Sequence, residues 1–523
     1  MATSGERRAC SVGIDLGTTG IKVAAFDAGE SGEQIALASR PSNLRRDSEG
    51  AAELDPSDER TVLYDALAET VEKAHQAGYV IARIGISAAM HSLLALDEQG
   101  APLTPVLTWA DLRAEADAQA LWNSPQGPAI YERTGTPIHA MTPLAKLLWL
   151  RRAHPDIWQR ATFFTDLKSW LWRQWFGEWV TDVSLASATA LYNLRQRQWD
   201  EQALALAGVT PERLPRVVPA HWGHADRLPA PFQQAGVDDG CAIVIGSSDG
   251  VLADLGVHVV DGSRLVVTIG TSLAVRVGAS AIRVDPATRA FCYALSEERS
   301  LYVIGQASNS GGSVLDWVYR GGVSAFARDA TQAATSDTAS GVSATPQHAA
   351  SFDEAMQAAG GAEAAERAAG LYFLPYIAGE RAPFWSANTS GALIGMRSEH
   401  SAVDALRAAA EGIMLNAAWI AEPFLTHPQP PPAIVVSGGA FQNDWMRQLA
   451  ADVFGLPVYE VATIEASARG AAIMAELATG ARTWEQVSQP LQPTSVANPD
   501  PARQAAYHEK GATFRRLALQ LNS

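Results

Sequence analysis

The chain predicts an α/β protein of two large domains, and three observations carry that prediction. Its 523 residues exceed what a single hydrophobic core ordinarily serves. A strand, a small Gly-Thr turn and a second strand occur near the start and again past the middle. Amphipathic helical stretches accompany strand-like segments around both copies. With 47% hydrophobic and 18% charged residues, the composition excludes disorder over most of the length.

In chain order, SVGIDLGTTGIKVAAF at 11–26 sets two apolar runs about Gly17-Thr18-Thr19-Gly20, the pattern of a buried β-hairpin. LVVTIGTSLAVRV at 265–277 repeats the order with Gly270-Thr271-Ser272 at the turn, and duplication outranks a single motif as evidence. Each hairpin is followed by a strand-like run ending in small residues, 81–90 in one half and 433–440 in the other. Helical periodicity marks 59–75, 404–421 and 444–454. Asp261 and Gly262 break the pattern, so the domains are expected at 1–256 and 257–523. A different character marks 321–361, rich in Ala, Ser, Thr, Gln and Gly, where Phe326, Phe352 and Met356 are the few large apolar residues. It reads as a surface insertion without chemistry, because small side chains bury too little to offset their ordering.

The net charge of −16 argues against nucleic acid or an anionic membrane as partner, since either is bound through an excess of Lys and Arg. Cys10, Cys241 and Cys292 lie far apart and give neither a disulfide framework nor a metal-binding pair. Residues 1–8 are polar and do not read as a signal peptide. The most apolar stretch, 265–282, is interrupted by Arg276 and reads as strands rather than a membrane span. A soluble cytoplasmic protein is expected.

The common phosphate loop G-x-x-x-x-G-K-[ST] is absent, for none of Lys22, Lys73, Lys146, Lys168 and Lys510 follows a glycine. No G-x-G-x-x-G follows a strand either. The alternative is a hairpin grip: at Gly17, Thr18 and Thr19, small residues let the backbone approach phosphate oxygens while amides and hydroxyls donate to them. Asp15 beside that turn suits Mg²⁺, which takes one or two protein carboxylates and keeps several waters. A second turn with the same donors at Gly270 and Thr271 strengthens the reading over a plain structural turn with a capping Asp. IVIGSSDG at 243–250 runs from strand into turn and delivers Asp249 at a strand end, where a carboxylate is placed to accept a hydroxyl proton during phosphoryl transfer. An Asp favoured before Gly in a turn is the alternative there.

These segments, with AAMHSLLALDEQG at 88–100, WADLR at 109–113, TDVSLASATALYN at 181–193, GERAPFW at 379–385, SGGAFQNDWMRQLAADVFGLPV at 437–458 and ASARGAAIMA at 466–475, resemble the FGGY carbohydrate kinases over nearly the whole chain. The resemblance implies two ribonuclease H-like domains of the actin and hexokinase type, with a nucleotide cleft between them. It implies ATP and Mg²⁺ as cofactors, Asp15 near the metal and Asp249 as catalytic base. Gly17, Thr18, Thr19, Gly270 and Thr271 would contact phosphates, and Gly311, Gly312, Gly438, Gly439 and Asn443 the adenosine side. Met90, His91, Trp109, Asp111 and Arg113, with His139 and Lys146, would face the sugar. AAMHSLLALDE, WAD and GSSDG resemble the gluconate kinases of the family more than the xylulokinases, which implies a sugar acid whose carboxylate would meet Arg113 or Lys146. A homodimer is left open.

Overall fold

The computed structural model describes residues 8–29, 32–323, 351–461, 465–488 and 494–522. Its contacts form two compact units that interleave along the chain. One comprises Met1–Gly262, Gly278–Ile304 and Ala462–Leu491, the other Ser263–Val277, Gly305–Val461 and Gln492–Ser523.

The first unit begins with β1 (Arg8–Leu16) and β2 (Gly20–Asp27), an antiparallel hairpin with Leu16 opposite Ile21. β3 (Gln34–Pro41) extends it antiparallel. α1 (Pro56–Gln76) starts where Asp55 accepts from the amides of Ser57 and Asp58, with Pro56 at its first position and Lys73 and His75 in its last turn, the arrangement that satisfies free amides and suits the helix dipole. β4 (Tyr79–Ala88) returns parallel to β1. After α2 (Pro143–Ala153), α3 (Leu167–Phe176) and α4 (Val183–Ser187), β5 (Ala242–Ser248) lies parallel to β4 and runs straight into α5 (Asp249–Gly256). The sheet order is therefore β5-β4-β1-β2-β3, with Gly223–His224 beyond β5. The strands carry Val12, Ile14, Ile21, Val23, Ile84, Ile86, Ile243 and Ile245 into the core, each fully buried.

In the second unit β6 (Leu265–Ile269) and β7 (Leu273–Ala279) repeat the hairpin. α6 (Gly312–Val318), α7 (Phe352–Gly360) and α8 (Ala402–Leu425) follow. β8 (Ile434–Ser437) lies parallel to β6, and after α9 (Asp444–Phe454), β9 (Val458–Glu460) lies parallel to β8. α10 (Ala466–Ala478) then belongs to the first unit and α11 (Pro501–Leu521) to the second.

α10 owes its place to small residues. A Cβ at Gly13 would sit 1.7 Å from the Ala468 carbonyl oxygen and one at Gly85 1.8 Å from that of Ala471, so glycines on β1 and β4 let the helix lie directly on the sheet. Gly470 and Gly256 do the same between α10 and α5, at 1.9 Å from the Leu252 oxygen and 2.0 Å from the Ala466 oxygen.

Two expectations change. Asp249 does not stand in a turn: it is the first residue of a helix, with Ser248 as N-cap. The 321–361 stretch falls largely outside the described residues, Phe326 included. Its described end is α7, opened by a reciprocal Ser351–Glu354 capping box and anchored by buried Met356.

Candidate active site

In the first unit the carboxyl ends of β1, β4 and β5 line up. Asp15 is paired in register with Ser87, and Ser87 with Ser247, which sets the flanking strands about 10 Å apart and places Asp249 one residue past Ser248. Asp15 Oδ1 accepts from Ser87 Oγ at 2.7 Å. Burial, and next the charge of Asp249, push the Asp15 carboxyl up to about 7, while the Ser87 bond and Lys22 pull it down. Lys22 is paired with Glu465 at 2.8 Å. Asp249 Oδ1 accepts from its neighbour's amide, Gly250 N, at 2.7 Å, and Ser467 Oγ of α10 donates to the Asp249 carbonyl at 3.1 Å.

The turn between β1 and β2 needs its first glycine, because a Cβ at Gly17 would lie 2.8 Å from the Gly20 oxygen. Thr18 is buried and Thr19 exposed. Among the described residues no three or more His, Cys, Asp and Glu side chains form a group able to hold a metal. Asp15, close enough to Asp249 for the two charges to interact, offers the one or two carboxylates that an ion such as Mg²⁺ takes.

Of the residues expected to face the sugar, Met90 and Trp109 line one cavity with Gly17, Thr18 and Lys168. His91 adopts a left-handed backbone, φ 63°, a strained state for a residue with a side chain. Its ring is fixed on both edges: Nδ1–H donates to the Ala188 carbonyl at 2.7 Å, and Nε2 accepts from Tyr293 OH at 3.3 Å. His139 Nδ1 accepts from Met141 N at 3.2 Å.

The two bases expected to meet a substrate carboxylate are already committed. Lys146 is fully buried, and its ammonium donates to the carbonyls of His91 (2.6 Å), Thr108 (2.7 Å), Met141 (2.8 Å) and Leu107 (3.3 Å). Burial lowers its pKa to about 7, with Asp111 opposing. It ties together the three loops that carry His91, Trp109 and His139. Arg113 donates to Asp111 at 2.6 Å and to Glu53 at 2.5 Å and lies over Trp149. Asp111, itself buried, accepts from Arg113 and from Ala52 N.

In the second unit three glycine-bearing segments meet backbone to backbone. Gly312 N donates to the Gly270 carbonyl at 2.7 Å and Ser313 N to that of Thr271 at 3.2 Å. A Cβ at Gly311 would lie 2.5 Å from the Ser272 backbone, and one at Gly438, where φ is +99°, 2.3 Å from the Ile269 oxygen. A cavity opens beside them, bordered by Gly270, Thr271, Gly312, Gly439 and Asn443. Asn443 Oδ1 also caps α9 by accepting from Trp445 N at 2.9 Å.

Several contributors escape sequence reading. Phe352 and Met356 of α7 and Trp445 of α9 line that second cavity, so the small-residue stretch assigned no chemistry borders it. Glu380, in GERAPFW, is buried and accepts from Ser308 Oγ, Ser310 Oγ and the Asn309 amide at 2.6–2.8 Å, holding the turn before Gly311. In the first unit Lys168 and Asp182 form a fully buried ion pair. The available signal for the ion pair is Asp182 set inside an otherwise apolar and small-residue run, VTDVSLA at 180–186.

Comparison with known proteins agrees over most of the chain. Residues 10–256 match the FGGY family of carbohydrate kinases, N-terminal domain, and residues 265–479 the C-terminal domain. A gluconokinase of Bacillus subtilis (strain 168) is 35% identical over 476 residues, covering 90% of this chain and 87% of the relative. A xylulose kinase of Escherichia coli (strain K12) is 27% identical over 98% of this chain and 99% of the relative. Among solved structures, a gluconate kinase from Lactobacillus acidophilus superposes with a TM-score of 0.85 at 29% identity, covering 99% of both chains. A ligand-bound xylulose kinase from the same organism gives 0.86 at 28% identity, covering 98% of this chain and 99% of the other.

Proposed function

Because the chain belongs to the FGGY family of carbohydrate kinases, we propose that it phosphorylates gluconate to 6-phosphogluconate at the expense of ATP. The enzyme is a phosphotransferase with an alcohol group as acceptor. The observation that carries the substrate is the contrast in identity, 35% to a gluconokinase against 27% to a xylulose kinase over comparable coverage. Xylulose is the second reading, favoured by the equally good superposition on a xylulose kinase.

In the proposed reaction Asp249 accepts the proton of the sugar hydroxyl as that oxygen bonds to the γ-phosphorus and the bond to the ADP oxygen breaks. Its place at the first turn of α5 keeps the carboxylate at the strand end. Asp15 would hold Mg²⁺, which when bound supplies positive charge against the phosphates. Amides and hydroxyls at Gly17, Thr18, Thr19, Gly270 and Thr271 would grip phosphate oxygens. Gly311, Gly312, Gly438, Gly439 and Asn443 would leave room for the nucleoside against bare backbone. Met90, His91, Trp109 and His139 are the proposed wall for the carbon chain, with Lys146, Asp111 and Arg113 holding its loops. The three cysteines, all unpaired and buried, and the need for ATP favour the cytoplasm.

The test is purified protein with MgATP against gluconate, xylulose, ribulose and glycerol, products identified by mass. Gluconate should give the highest kcat/KM. A clear preference for xylulose would overturn the substrate and leave the family standing.

A further inference from the structure

The two residues before Asp249, Ser247 and Ser248, are both anchored to one buried ion pair. We propose that Lys168 and Asp182 are positioning residues for the catalytic carboxylate, an inference that rests on Asp249 being the base. The side chains of Lys168, on α3, and Asp182, which precedes α4, are both 0% exposed and meet at 2.7 Å. From that pair two routes lead to Asp249. Lys168 Nζ donates to the Ser247 carbonyl at 3.0 Å. Asp182 Oδ1 accepts from the amides of Ser184 and Leu185 at 2.9 and 3.1 Å, fixing the first turn of α4. There Ser184 Oγ lies 2.6 Å from Ser248 Oγ. Ser248 is the N-cap of α5, yet its hydroxyl makes no capping bond, because it is turned to Ser184 instead.

Ser247 is thus held by its carbonyl and Ser248 by its hydroxyl, and Asp249 comes next. Stability alone does not call for this arrangement, since a buried ion pair is often replaced by apolar residues of similar volume without loss. What an apolar pair lacks is direction: it cannot fix a carbonyl and a helix start at set distances. A reacting group displaced by about 1 Å loses on the order of 10²-fold in rate, so a small drift of the Asp249 turn is expensive. Lys168 also borders the cavity lined by Thr18, Met90 and Trp109, residues of the proposed site.

The experiment compares the full-length enzyme with Lys168→Met, Asp182→Leu/Lys168→Met, Ser248→Ala and Asp249→Asn, measuring kcat, both KM values and thermal stability. Lys168→Met leaves a lone buried carboxylate and is expected to lower both stability and kcat. The double variant removes both charges but also the cap of α4, so stability should return only in part, while kcat stays about 10- to 100-fold down and KM for ATP stays within about threefold. Ser248→Ala should keep wild-type stability and lose about three- to tenfold in kcat, since it cuts one route and leaves the charges. A double variant with wild-type kcat, or Ser248→Ala with wild-type kcat, makes the pair a packing feature and overturns the proposal. Asp249→Asn separates the two readings. If it turns over normally, the base is elsewhere and the positioning proposal falls with it. If it is inactive while the double variant is fully active, only the positioning proposal fails.

Discussion

Asp15 and Asp249 differ in what their surroundings ask of them. In the proposed reaction Asp249 takes a proton during transfer, so Asp249→Asn, similar in shape but unable to accept it, should lower kcat about 10²–10⁴-fold with ATP binding retained. Near-normal turnover would remove it from the chemistry. Asp15, pushed up to about 7 by its burial, holds a proton in the folded state over a pH range where the unfolded chain has lost it. Its contribution to stability is therefore complete below about 4, the range of a free carboxyl, and is lost as pH rises through about 7. In metal-free, nucleotide-free buffer the wild type should lose Tm from pH 5 to pH 8 more steeply than Asp15→Asn. Parallel slopes would show that the site does not raise this carboxyl. Lys146→Met should raise KM for the sugar about tenfold, equivalent to about 1.4 kcal/mol, with KM for ATP unchanged. If the sugar KM does not move, the carbonyl cluster is not what shapes that wall. Lys146 marks where residue-level reading stops. The family resemblance places it in the sugar cluster, but which partner its ammonium chooses depends on three loops far apart in the chain.

Elements are easier to read than side-chain contacts, because periodicity and turn chemistry are local. Both hairpins, and the helices at 56–76, 402–425 and 444–454, lie where the apolar pattern puts them. The start of α5 at Asp249 is the exception, since the following Gly suggests a turn. The contact of Ser248 with Ser184 shows where its hydroxyl goes instead of capping the helix. The glycines under α10 carry the clearest prediction at this scale. A methyl group at Gly85 would have to displace a helix backbone 1.8 Å away, so Gly85→Ala should cost about 3 kcal/mol or more, beyond ordinary overpacking. In a unit of this size that is roughly 2–4 °C of Tm for each kcal/mol. α10 also presses on α5 through Gly470 and Gly256, so kcat should fall with Tm. A Gly85→Ala enzyme with wild-type Tm would mean that the helix and sheet are not in the close contact described.

At the scale of the molecule, the hydrophobic pattern divides the chain once, near 256, whereas the compact units exchange segments repeatedly, with 278–304 and 462–491 in the first unit. Pattern cannot reveal this, since a strand or helix looks the same whichever core receives it. Only the small residues of 466–475, unusual for a helix so thoroughly buried, hint that it packs where no side chain fits. The consequence is testable by dissection. Residues 1–256 alone would leave β1, β4 and α5 without α10, exposing Ala24 and Phe26 of β2, which pack against it, beside the bare glycines Gly13 and Gly85. Such a fragment should bind a hydrophobic dye and melt without a cooperative transition. A second polypeptide, joining 1–262, 278–304 and 465–488 through Gly/Ser linkers, restores that covering helix and should regain a cooperative melt and lose the dye signal. If 1–256 melts cooperatively by itself, the first unit is complete without α10. The glycine seam would then be a late docking surface rather than part of its core.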